Sequence, residues 1–359
     1  EGALEVLLEQ WGEDNPYTQE AVHGLGVTHY FRQDYDPALE LFGRSLAIQL
    51  RIKGKMDAET AVVRNDLGNT LGFLRRYELA AAEHREALTI REALYGPRHP
   101  LVADSCFNLG NILDLSGSLG EALSLHSRAL SIRLERLGGE HPEVGRSQTV
   151  IASIGQRLSQ TLVQQLKVRK NREDPVQVQM AFLLFQQVGV ALSDAGLLAP
   201  AIEALGRTLA LAEALHGHEH PVVASVLTRL GELGLRAGQP AQSLPHLRRA
   251  LGIYQKGGNP PELADTHELL GMAHRDAGDL VLALDHFGAC LTARLKRLGP
   301  GHPSVGQGYA NIGGVHLRAG RLAEAERYTR QALENVEAAA GPDDPQTARA
   351  CGNLGTVLL

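Results

Sequence analysis

"GPRHPLVADSCFNLGNIL", residues 96–113, reads as a helix with a marked entrance and an unexpected interior. Pro100 follows His99 where the apolar periodicity begins, and proline suits the first turn of a helix because the N–H it lacks would be unpaired there. Gly110 then falls deep inside the same run. A mid-helix glycine costs roughly 1 kcal/mol against alanine, so the position needs a reason. With Pro100 as zero, Gly110 stands at plus ten, Ala122 at plus twenty-two, Ala129 at plus twenty-nine and Gly138 at plus thirty-eight. His141-Pro142 opens the next frame after 42 residues.

A period of this size signals a solenoid. Other frames start at Pro16, Ala58, Pro142, Gln179, Pro221, Pro261, Pro303 and Pro345. The plus-ten slot holds Gly26, Gly68, Gly110, Gly189, Gly231, Gly271, Gly313 and Gly355, with Ala152 alone departing. Such regularity predicts a neighbouring helix passing too close for a larger side chain. The plus-twenty-two and plus-twenty-nine slots hold small residues, Ala38 and Ser45 in one frame and Ala283 and Cys290 in another. Gly117, Gly196, Gly238, Gly278 and Gly320 at plus seventeen end one helix and start a turn. Each unit is therefore two antiparallel helices. The residue before the frame start is Asn15, Asp57, His99, His141, His220, His302 or Asp344. Asn and Asp are N-caps, and histidine in the same slot predicts a capping or loop-packing role.

Composition agrees. Apolar residues make up 43% of the 359, aromatics only 4%, so the core must be Ala, Leu and Val, which suits closely packed helices. A net charge of -6 argues against a general nucleic-acid binder. No apolar run reaches 18 residues, so no membrane insertion is expected. Cys106, Cys290 and Cys351 form no CxxC pair and predict buried, reduced thiols in an intracellular, cytoplasmic setting.

The L-G-x2-L and A-x3-F pattern, seen in Leu109-Gly110, Ala38 to Phe42 and Ala283 to Phe287, resembles the tetratricopeptide repeat. The 42-residue spacing and "HREALTIREALYGPRHP" (84–100) resemble the kinesin light chain and nephrocystin-3 subtype. The resemblance implies an all-α, right-handed superhelical solenoid. It divides the chain into a first block at 1–141 (half a unit plus three), a shortened unit at 142–178 forming a joint, and a second block at 179–359 (four units plus part of a fifth). The polar, basic tail "QQLKVRKNREDP" (164–175) and the early helix start at Asp174-Pro175 mark the joint. Both ends cut through a unit, so a piece of a longer protein is expected.

In this repeat family the face at plus four, seven, eight and eleven lines a concave groove for extended peptides or helices. Here the resemblance places Asn65, Asp66, Asn69, Asn108, Asn111, Asn311 and Asn353 on that face, with Arg229, Glu232, Arg236, Arg275, Asp276 and Arg318 in later units. An asparagine both donates and accepts, so a ladder of them can pair with a ligand backbone whatever its side chains. A merely solvated helix face is the competing reading. The lysines of a carboxylate clamp are missing.

"HGHEHP" (216–221) lacks a completing ligand set, and "HELLGMAH" (267–274) has Gly271 where a zinc HExxH helix has its second histidine. No P-loop, nucleophile elbow or paired Cys-His signature is present. No catalytic residue, metal ligand or cofactor is assigned. The expected function is a non-catalytic scaffold for a protein or peptide partner. Two alternatives remain open: the sensor or regulatory arm of a larger NTPase or protease-like protein, and a structural element of a large assembly, ciliary only by the analogy with nephrocystin-3.

Overall fold

A computed structural model describes residues 2–167, 174–257 and 261–359, which contain helices and no strand. After α1 (Gly2–Trp11) come three helix pairs: α2 (Pro16–Phe31) with α3 (Tyr35–Ile52), α4 (Ala58–Phe73) with α5 (Tyr77–Tyr95), and α6 (Pro100–Leu115) with α7 (Leu119–Leu137). The long α8 (Pro142–Lys167), α9 (Pro175–Asp194) and α10 (Leu198–His216) follow. Three more pairs are α11 (Pro221–Arg236) with α12 (Pro240–Lys256), α13 (Pro261–Asp276) with α14 (Leu280–Leu298), and α15 (Pro303–Arg318) with α16 (Leu322–Ala340). The last helix is α17 (Pro345–Leu358). In these pairs each helix packs on its partner and on the next pair's first helix, which is stacking in chain order.

Contacts group the chain into two compact bodies, Glu1–Arg169 with Gln187–Leu197 and Lys170–Gln186 with Leu198–Leu359. In the first body the C-terminal half of α9 lies along α8: Gln148 donates to the Ala195 carbonyl at 3.0 Å, and Leu192 sits 3.3 Å from where a Gly155 Cβ would be. Of the basic tail, residues 168–173 lie outside the described residues. Asp174 accepts from the Val176 N–H at 2.9 Å, so α9 starts early, where Asp174-Pro175 put it.

The doorway histidines are caps. Nδ1 of His99, His141, His220 and His302 each accepts the N–H two residues on, at 3.2 Å, as the carboxamide of Asn15 and the carboxylates of Asp57 and Asp344 do elsewhere. An imidazole here satisfies one of the orphan donors of the first turn. "HGHEHP" is part of this joinery: His216 stacks on His220 at 4.8 Å, and Arg249 donates to the His218 carbonyl at 3.0 Å.

The plus-ten glycines face a side chain from plus twenty-six on their own partner helix. A Cβ at Gly26 would meet Phe42 at 2.9 Å; at Gly68, His84 at 2.8 Å; at Gly110, His126 at 2.7 Å; at Gly271, Phe287 at 2.7 Å. Leu247 stands over Gly231 and Thr329 over Gly313 in the same way. The close approach is that of a knob, with the small plus-twenty-two and plus-twenty-nine residues (Ala38, Ala80, Ala122, Ala129) fully buried beside it. Gly355 meets nothing within 4 Å among the described residues.

Two expectations need correction. Cys106 and Cys290 are buried, and burial pushes their thiols up to about 11 and about 12, which leaves them inert. Cys351 is exposed. It shares the plus-six slot with Cys106, but the face that Ala129 and Ile132 of α7 cover for Cys106 has no counterpart in α17. Secondly, α9 is long and apolar enough by composition to cross a membrane, the only such helix among the described residues. Half of its apolar window is buried within the protein, and Phe185 and Val188 are core residues there.

Candidate functional site

Successive first helices are stitched together in a single register. The plus-seven residue of one pair bonds the plus-eight residue of the next, 43 residues on: His23 Nε2 with Asp66 Oδ2 at 3.0 Å, Asn108 Nδ2 to Asn65 Oδ1 at 2.8 Å, and Asn311 Nδ2 to Glu268 Oε1 at 2.7 Å. Asn65 also donates to Asp66 at 3.4 Å. These amides are thus engaged within the array. Asn69 and Asn111, at plus eleven, make no bond to another described residue and keep both donor and acceptor available.

Two adjoining hollows open over this face in the first body. The larger, about 740 Å3, is lined by Asn65, Asn108 and Asn111 together with Arg91, Arg133, Arg136 and Arg146. Asp104 and Glu143 are its carboxylates, and Phe107 its apolar wall. Four guanidinium groups against two carboxylates leave the lining positive. The smaller, about 260 Å3, is formed by Asn69, Asn108 and Asn111 with Gly72, Phe73, Ile112 and Leu115. Asn108 and Asn111 belong to both hollows and form the ridge between them.

The sequence did not reveal what holds the larger hollow open. At plus thirty-three, Arg91 and Arg133 lie buried and reach forward to the next pair. Arg91 donates to Ser105 Oγ at 2.8 Å, and burial lowers its pKa from the ordinary value. Arg133 donates to Ser147 Oγ at 2.9 Å and to Asp104 at 3.0 Å, lies 3.1 Å from Glu143, and stacks 4.6 Å over the Phe107 ring. Arg294 does the same in the second body, between Asp265 at 3.0 Å, Glu268 at 2.5 Å and the Ser304 carbonyl at 3.3 Å. The signal was available as the recurrent plus-thirty-three arginine in an apolar helix face.

The remaining candidates are in the second body. Arg275 pairs with its neighbour Asp276 at 2.9 Å, and Arg318 lies 3.6 Å from the same carboxylate. Arg229, Arg236 and Asn353 are exposed on their helices, while Glu232 is half-buried. At plus fifteen the edge is Arg236, Asp276 and Arg318 in the last three pairs, whereas in the first three pairs it is Phe31, Phe73 and Leu115, which are 78%, 58% and 61% exposed. One helix position therefore carries charge in the last three pairs and exposed apolar surface in the first three.

The tetratricopeptide repeat family model matches residues 59–135, 179–256, 262–338 and 308–359. Similar solved structures include BtubC (BKLC) from P. vanneervenii, 17% identical, covering 75% of this chain and 92% of that one with a TM-score of 0.44. A kinesin light chain-type protein of nearly identical TPR-like repeats from Podosopora anserina is 17% identical, covering 68% and 99%, with a TM-score of 0.37. YrrB, described as a TPR protein with an unusual peptide-binding site, is 17% identical, covering 74% and 98%, with a TM-score of 0.38. Nothing about this chain's ligand follows from them.

Proposed function

The chain belongs to the tetratricopeptide repeat family, whose members serve as protein–protein interaction scaffolds, and from that premise we propose that it holds an extended segment of a partner protein across the two hollows of its first body. The observation that carries this is the ridge: the Asn111 amide, unbonded to any other described residue, stands where both hollows meet. An extended backbone crossing there finds a donor and an acceptor on one side chain. The smaller hollow takes an apolar side chain between Phe73, Ile112 and Leu115; the larger favours a carboxylate, through its surplus of guanidinium groups. The work is recognition, and no residue is given a catalytic role.

A random peptide library selected against the purified chain tests this. Selected peptides are expected to carry an acidic residue near an apolar one, and to lose about tenfold in affinity (about 1.4 kcal/mol) on Asn111→Ala. Because Asn111 bonds no other described residue, its removal is expected to leave the array intact. Selection of no peptide, or binding indifferent to Asn111→Ala and Arg146→Ala alike, removes the proposal.

A further inference from the structure

The hairpin of α13 and α14 brings together three histidines that the groove does not use. His267 Nδ1 and His286 Nδ1 face each other at 3.0 Å across the two helices. The His274 ring stacks on His286, centroids 5.5 Å apart and planes 16° apart, and its Nε2 is buried with no hydrogen-bond partner. His267 and His286 occupy plus six and plus twenty-five of their frame, a slot that other hairpins fill differently. In α4 and α5 it is the ion pair Arg64–Glu83 at 2.6 Å; in α15 and α16 it is Tyr309 against Tyr328, with His316 stacked on Tyr328 at 5.4 Å. The geometry is thus a general cross-hairpin contact. Here alone among the described pairs it puts two ring nitrogens face to face.

Two neutral imidazoles with their Nδ1 atoms opposed can share only one proton, so one lone pair is held by its neighbour's N–H. A metal ion satisfies both lone pairs at once. An ion bonded about 2.0–2.1 Å from each nitrogen would subtend roughly 90–100° at this separation, narrower than the tetrahedral angle zinc prefers. It matches adjacent positions of a square-planar or tetragonal shell, the preference of Cu(II) and Ni(II). No three His, Cys, Asp or Glu side chains among the described residues converge as a full set of ligands, so water would complete the shell. His274, stacked on His286, fixes that ring's plane. Burial and the neighbouring His267 and His274 oppose positive charge on His286, Asp285 favours it and Arg248 opposes it.

We propose that His267 and His286 form a two-nitrogen site for a divalent copper or nickel ion, which clamps α13 to α14. The test uses the untagged chain, stripped with chelator and titrated calorimetrically with Ni2+ or Cu2+ in a glycine-containing buffer that suppresses binding to single surface histidines. One equivalent is expected to bind and to raise the thermal midpoint. The variant carrying both His267→Tyr and His286→Tyr reproduces the Tyr309–Tyr328 pair, so it is expected to fold, to bind that equivalent at least tenfold more weakly and to lose the midpoint rise. If it misfolds, His267→Leu serves instead, because Leu227 and His246 hold the same two slots in α11 and α12. Ion binding equally tight in wild type and a folded variant, or no equivalent bound by the wild type, overturns the proposal.

Discussion

Gly110 and the ring of His126 share one volume: a Cβ at 110 would stand 2.7 Å from His126 Nε2. The ring is wholly buried, so it has little room to retreat. Gly110→Ala is therefore expected to destabilise the first body by about 1–3 kcal/mol, the cost of overpacking outweighing the roughly 1 kcal/mol gained in helix propensity. Gly206, in the interior of α10 with nothing within 4 Å of its virtual Cβ, is the control; Gly206→Ala should stabilise by about 0.5–1 kcal/mol. Urea midpoints decide. A Gly110→Ala chain as stable as the Gly206→Ala one would mean that the ring yields.

His126 and its counterpart His84, the knob over Gly68, make the first body acid-sensitive. Burial lowers the pKa of both His84 and His126 to about 4, and neither ring has a partner for its nitrogens. A histidine depressed in the folded state binds its proton more readily when unfolded. Its contribution is complete above the ordinary pKa near 6.5 and is lost as pH falls from there towards 4. At pH 5 the loss is roughly 2 kcal/mol for each residue. His126→Phe and His84→Phe, which copy Phe42 and Phe287 in the equivalent slots, should flatten the fall in urea midpoint between pH 7 and pH 5. Equal slopes in variant and wild type would exonerate these rings.

Arg75 and Gln33 hold the left-handed turn between paired helices, with φ of 58° and 67°, where later pairs have glycine. A side chain in that region costs about 1 kcal/mol. Arg75→Gly should recover a few tenths to about 1 kcal/mol, since glycine's extra freedom in the unfolded chain offsets part of the gain. A lower melting temperature for Arg75→Gly would show that the arginine contributes more there than its backbone strain costs.

Arg133 is expected to matter more than its carboxylate partners. It is almost fully buried under Ser147, Asp104, Glu143 and Phe107, whereas the Asp104 side chain is 53% exposed. Arg133→Ala should destabilise the first body by about 2–4 kcal/mol and distort the larger hollow. Asp104→Ala should cost under about 1 kcal/mol, since water screens that pair. Comparable losses from the two substitutions in chemical denaturation would contradict the buried-arginine account.

The helices, their pairing and their caps were legible in the residues because each depends on local chemistry or on a regular period. Pro100 after His99 starts a helix whatever lies around it, and eight glycines in one slot announce a close approach before any neighbour is known. The periodic code also placed Asn65, Asn69, Asn108 and Asn111 on one face. It did not separate the amides tied within the array from those left open, and it missed the arginines at plus thirty-three and the imidazole pair at His267 and His286. Those contacts join residues 14 to 43 positions apart, and the amide pairs depend on a one-residue offset between neighbouring first helices. That offset is set by how the helices cross and how deeply each knob seats, which is a property of packed volumes. The alphabet of the chain fixed what could pair; the packing of one helix on the next decided which of those pairs formed.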